Sequence, residues 1–203
     1  MNKLPIYEIF IDLDDETTFM DYNAIVDHPA HGKKVNTFKK SKPKKYHFDD
    51  ERQIVIGVAI SADTLIYRND PEMGEHNVVF TKPNITKIIE QYSRNGYWNN
   101  LNIEHDQEDK VENSFMLTSY QIDSAIGMTA PELFSEESDG TWIIGYKIND
   151  FDAYQKAKTG GFSIEGVFYQ QILKMSKGVK GDDLTNDQFN KLMKIIDVLS
   201  VIA

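Results

Sequence analysis

Apolar residues along this chain recur with two spacings, alternate positions and every third or fourth, so both strands and helices are expected. From Ile6 to Leu13, Tyr7, Ile9, Ile11 and Leu13 share one face with Glu8 and Asp12 on the other, predicting a half-buried strand. The run from Arg52 to Arg68 is almost continuously apolar through Ile60, as in a strand covered on both faces. Val78 to Phe80 reads as a short strand. Ile85, Ile88, Ile89 and Tyr92 then fall at helical spacing, with Pro83 near the start and Gly96 near the end, predicting an amphipathic helix over Asn84–Trp98. Leu101, Ile103 and His105 share a face of a further short strand, followed by an acidic turn over Asp106–Asp109. Val111–Ile122 has strand propensity, and Trp142, Ile144, Tyr146 and Ile148 alternate cleanly. Asn149 or Asp150 caps a short helix that Gly160 and Gly161 end, and Phe162–Tyr169 is a last strand with Ser163 opposite Phe162, Ile164 and Phe168.

Two regions break this pattern. Residues 14–50 carry few apolar positions and seven lysines between Lys33 and Lys45, and read as an irregular, Lys-rich exposed loop. After residue 172 a polar linker, Lys174–Asp183, precedes a Thr185/Gln188 capping box and an amphipathic helix bearing Phe189, Leu192, Met193, Ile196 and Leu199. The expected architecture is therefore α+β: a β-rich domain over 1–172, a curled sheet or small barrel with interleaved helices. A linker and C-terminal helix follow over 173–203.

Composition narrows the function classes. The 203 residues suffice for one well-cored domain. A formal net charge of −10 argues against direct nucleic-acid binding, which depends on neutralising phosphates. The absence of cysteine excludes thiolate metal sites, iron–sulfur clusters, disulfides and a cysteine nucleophile. The longest apolar stretch, Ile54–Ile60, has seven residues where a membrane span needs about 20, so no membrane partner is expected.

Serine or threonine nucleophiles, carboxylate pairs and histidines remain as candidate chemistry. His105 ends an apolar strand face where the sheet holds a side chain beside a cleft; on spacing alone it reads first as a structural histidine. Ser163 lies in TGGFSIEG, where flanking glycines permit close backbone approach or positive φ. The serine begins a strand, unlike the strand-to-helix elbow of G-x-S-x-G enzymes. The cluster Glu104, His105, Asp106, Glu108 and Asp109 matches no metal-binding spacing, so neither metal nor cofactor is expected.

Four stretches taken in order resemble the phage prohead maturation proteases, serine peptidases that share a fold with the herpesvirus assemblins. They are RQIVIGVAI…LIYR (Arg52–Arg68), NNLNIEH (Asn99–His105), TWIIGYKIND (Thr141–Asp150) and KTGGFSIEG (Lys158–Gly166). They cover Arg52 to about Tyr169. The resemblance implies Ser163 as nucleophile and His105 as general base. Related proteins often carry a glutamate before Ser-aromatic in the strand after the histidine. Here VENSFM puts Asn113 at that position, and Glu112 takes it with a one-residue slip. Glu112 is favoured as third member. Asn113, Asp123 and Glu165 stand as alternatives, Glu165 sharing the face of Ser163 in a regular strand.

The resemblance further implies cleavage of scaffold and major capsid proteins inside an assembling procapsid in the host cytoplasm. The terminal helix would tether the enzyme to that shell or form a homodimer contact, and the linker KMSKGVKGDD would be open to self-cleavage. The alternative is a catalytically inactive structural or scaffolding component of the phage head on the same fold.

Overall fold

The computed structural model describes residues 4–27, 46–174 and, as backbone, 196–199. In chain order its elements begin with strands β1 (Ile6–Phe10), β2 (Phe19–Val26), β3 (His47–Asp49), β4 (Ile54–Ile60), β5 (Ile66–Asp70) and β6 (Gly74–Val79). Helix α1 (Lys82–Arg94), β7 (Leu101–Ile103), β8 (Asp106–Lys110), β9 (Ser114–Gln121) and β10 (Trp142–Ile148) come next. Helix α2 (Phe151–Thr159), β11 (Gly161–Lys174) and β12 (Ile196–Leu199) complete the set.

The fold is strand-rich α+β, with a curled half-barrel sheet ordered β5-β6-β1-β11-β2-β7-β8 and a second sheet ordered β3-β4-β10-β9. The long strand β11 is the hub. On one edge its Gly161–Val167 half pairs antiparallel with β2, and on the other its Tyr169–Lys174 half pairs antiparallel with β1. One core cluster draws on both sheets and both helices, including Ile9, Ile25, Ile60, Ile88, Trp142 and Phe162. The sheets meet where β4 crosses β11. A Cβ on Gly57 would lie 2.2 Å from the Tyr46 ring and 3.2 Å from Phe162 Cδ2, so only a bare backbone fits there.

The alternating and helical patterns appear where expected. All four alternate residues of β10, Trp142, Ile144, Tyr146 and Ile148, are fully buried. Helix α1 buries Ile85, Ile88 and Tyr92, and Asp150 caps α2 by accepting the Ala153 N–H at 2.8 Å. Four expectations are corrected. The Arg52–Arg68 run is two strands in different sheets, because the chain turns after Ile60 at Asp63, whose φ is 54°. The acidic stretch Asp106–Lys110 is not a turn but the exposed edge strand β8.

The third correction lies inside 14–50, whose part from 28 to 45 is outside the described residues. Phe19–Val26 is not irregular but forms β2, an interior strand. Its polar members hid it: the fully buried Asn23 donates through Nδ2 to Tyr92 Oη and Tyr146 Oη, each 3.1 Å away, on elements distant in the chain. The fourth concerns the terminal helix, which falls largely outside the described residues. Of its span, Ile196–Leu199 is a strand antiparallel to Gly166–Tyr169 of β11. Its β-branched Ile196 and Val198 suit a strand, and the edge of β11 ahead of β1 offers unpaired backbone groups to it.

Candidate functional site

Strand pairing carries Ser163 and the histidine turn toward one another. Ser163 pairs with Ala24 of β2, and Ala24 with Asn102 of β7, so the three lie in one row across the sheet. Glu165, two residues further along β11, shares the Ser163 face. The glycines around them are required for close approach. A Cβ on Gly160 would lie 2.2 Å from the Val26 carbonyl oxygen, and one on Gly166 would lie 2.1 Å from that of Phe19. Neither glycine has a positive φ. Beside the serine, Phe162 N–H donates to Tyr46 Oη at 3.1 Å. Ser163 is buried, 3% exposed.

His105 sits in the two-residue turn between β7 and β8, where Ile103 pairs with Asp106. Such a turn asks for positive φ at both central positions, usually met by Asn-Gly. Here Glu104 (φ 52°) and His105 (φ 61°) adopt it with full side chains. The left-handed conformation costs each about 1 kcal/mol, and such strain concentrates at functional positions. The imidazole is folded back over the sheet, its side chain only 4% exposed, with Nδ1 3.7 Å from Glu165 Oε2. That is ion-pair range but too long for a hydrogen bond. Both ring nitrogens are buried without a hydrogen-bond partner. Burial pushes the imidazole pKa below its usual value, against the opposing pull of Glu165 and then Glu104, so the ring is neutral at pH 7.

Two amides hold the Glu165 carboxylate. Asn102 Nδ2 donates to Oε2 and Gln107 Nε2 to Oε1, each at 2.8 Å. Asp21 lies within electrostatic reach of it from β2, and burial followed by the Glu165 charge pushes the Asp21 carboxyl up to about 6.

Among the residues proposed from sequence, Ser163, Glu165 and His105 come together on this polar face. The structure does not place Glu112 there, which corrects its choice as third member. Glu112 is exposed in the turn before β9. Asn113, beside it, accepts from Asn149 Nδ2 through its carbonyl at 3.0 Å. Asp123 is bound to Lys82 Nζ at 2.6 Å. The reason is topological: β9 belongs to the second sheet, and His105 faces β11 instead. Among the described residues no group of three His, Asp or Glu side chains is placed to hold a metal ion.

Asn102, Gln107 and Asp21 were missed. Asn102 left a trace, as a polar residue between Leu101 and Ile103 that alternation assigns to the opposite face. Gln107 and Asp21 left none.

No family model, curated protein or solved structure matches this chain. The chemistry of the site therefore rests on its own geometry. A hydroxyl, a neutral imidazole and a held carboxylate are the parts of a serine nucleophile system, and no hydrogen bond joins Ser163 to His105.

Proposed function

We propose that this chain is a serine endopeptidase of the prohead maturation type, cleaving scaffold and capsid proteins as a phage head matures. Ser163 is the nucleophile, His105 the general base and Glu165 the residue that orients the base. The observation that carries this reading is the Glu165 carboxylate, fixed by two amides 3.7 Å from His105 Nδ1 on the face that bears Ser163. With Nδ1 toward Glu165, Nε2 is the nitrogen that takes the Ser163 proton as Oγ attacks the scissile carbonyl. The proton then passes to the leaving amine. Water, deprotonated by the same nitrogen, releases the acyl group and restores the serine. Substrate binding closes the Ser163–His105 hydrogen bond, since catalytic contacts are commonly loose in free enzymes.

The test is co-expression with scaffold and capsid proteins, alongside labelling by a fluorophosphonate probe. Defined fragments and a labelled Ser163, both lost in Ser163→Ala and labelling lost in His105→Gln, support the peptidase. Identical masses in wild type and Ser163→Ala, with normal heads and no labelling, overturn it. That outcome favours the second reading, a structural head component on this fold, for which the unpartnered His105 nitrogens speak.

A further inference from the structure

Strand β2 carries an irregularity directly opposite the site. Glu165 pairs with Tyr22 and Gly166 with Met20, so Asp21 is an extra residue inserted between them. A bulge of this kind re-aims a side chain. The Asp21 carbonyl is held by Asn100 Nδ2 at 2.8 Å, which fixes the backbone of the bulge. Its carboxyl oxygen Oδ1 is buried and accepts no hydrogen bond. An unsatisfied buried carboxyl oxygen is costly as a purely structural feature.

We propose that Asp21 is a positioning residue of this site, set by the β2 bulge against Glu165 so that its charge state reaches His105. The inference rests on the peptidase reading for its catalytic meaning, not for its physical content.

The groups around Asp21 are few. Glu165 faces it from β11, Tyr92 from α1, and the backbone N–H groups of Asp21 and Tyr22 favour its ionised form. Around His105 stand Glu165 and Glu104. Two carboxyls in one partly buried site do not ionise independently, because each charge disfavours the other. As pH rises, Asp21 ionises at about 6 and adds a negative charge beside Glu165. That charge favours imidazolium at His105, the form present while the proton taken from Ser163 is in transit. Asp21 therefore acts through Glu165 and His105, and touches no substrate.

The experiment is a pH titration of the His105 ring and the Asp21 carboxyl by NMR on the full chain, in wild type, Asp21→Asn and Glu165→Gln. His105→Gln identifies the ring signal. Wild type should show a second inflection in the His105 curve near the Asp21 midpoint. Asp21→Asn should remove it and lower the His105 midpoint. Where cleavage is measured, Asp21→Asn should lower kcat/KM at pH 7.5 by ~3- to 10-fold and erase the same step from the pH profile. A His105 curve in Asp21→Asn that superimposes on wild type overturns the proposal. So does an Asp21 midpoint near the ordinary ~3.9 in wild type, a reading that needs no variant to fold. Absence of cleavage in every variant would remove the peptidase reading, while the titration would still decide whether Asp21 governs His105.

Discussion

Asn102 Nδ2 donates to Glu165 Oε2 at 2.8 Å, tying β7 to β11 across the β2 strand that separates them. Asn102 is fully buried, so solvent does not replace this bond when it is lost. Asn102→Ala should cost about 1–3 kcal/mol of stability by stripping a buried carboxylate of one donor. Asn102→Asp should cost more, because it sets like charges together. Urea unfolding at pH 7 reads both, and equal stability of all three proteins would show that the bond holds nothing.

His105 bears two separable costs, a left-handed backbone and a buried ring with no hydrogen bond. Glycine removes both. His105→Gly should therefore raise stability by about 1 kcal/mol while abolishing any peptidase activity, the behaviour of a residue kept for function. A fall in melting temperature would mean that the ring is needed for packing.

The Asp21 carboxyl, raised to about 6 in the folded chain, has the sign opposite to that of a salt-bridged aspartate. Its contribution to stability is fully present below its unfolded value and is lost as pH rises through about 6. The group is only half-buried, so screening reduces the effect to about 1 kcal/mol. Asp21→Asn should thus match wild type near pH 4 and exceed it at pH 8. Denaturant midpoints at the two pH values check this, and a constant difference would contradict it.

Gly160, Gly166 and Gly145 should respond differently to alanine. At the first two a Cβ meets backbone oxygen, at 2.2 and 2.1 Å, and neither strand can retreat without breaking its ladder. At Gly145 it meets side-chain atoms of Ile56 and Thr118 at 3.1 and 3.3 Å, which rotate or shift. Gly160→Ala and Gly166→Ala should cost about 3 kcal/mol or more, and Gly145→Ala about 1 kcal/mol. Thermal melts of the three variants would order them.

Tyr46 Oη accepts the N–H of Phe162, the residue before the candidate nucleophile. Tyr46→Phe keeps the ring against Phe162 and removes only the acceptor. It should cost about 1–2 kcal/mol and speed hydrogen exchange at the Phe162 amide, and unchanged exchange would argue against the bond.

Local chemistry explains how much of this protein can be read without a structure. The alternation in β10, the α1 stripe, the Asp150 cap and the glycines before Ser163 each depend on residues a few positions apart. Their patterns survive because one turn of helix or one pleat of strand decides which side chains share a face. The strand-rich α+β class follows from the same signals. The placement of Ser163 at the start of a strand, behind two glycines, follows from them too.

What tertiary structure alone decided lies where residues far apart meet. Strand β2 places a polar residue, Asn23, in the core, and that residue's donors find acceptors only on α1 and β10, far away in the chain. Asp21 gains its place from an irregular register that no local pattern announces. The carboxylate beside His105 turned on the sheet order β11-β2-β7, which brings in Glu165 and leaves Glu112 in solvent. Strand order is a long-range choice, set by which buried faces and hydrogen-bond edges fit together over the whole chain. Local pattern thus determined the elements whose alternation or helical stripe is unbroken, and their assembly determined which acid stands beside the histidine.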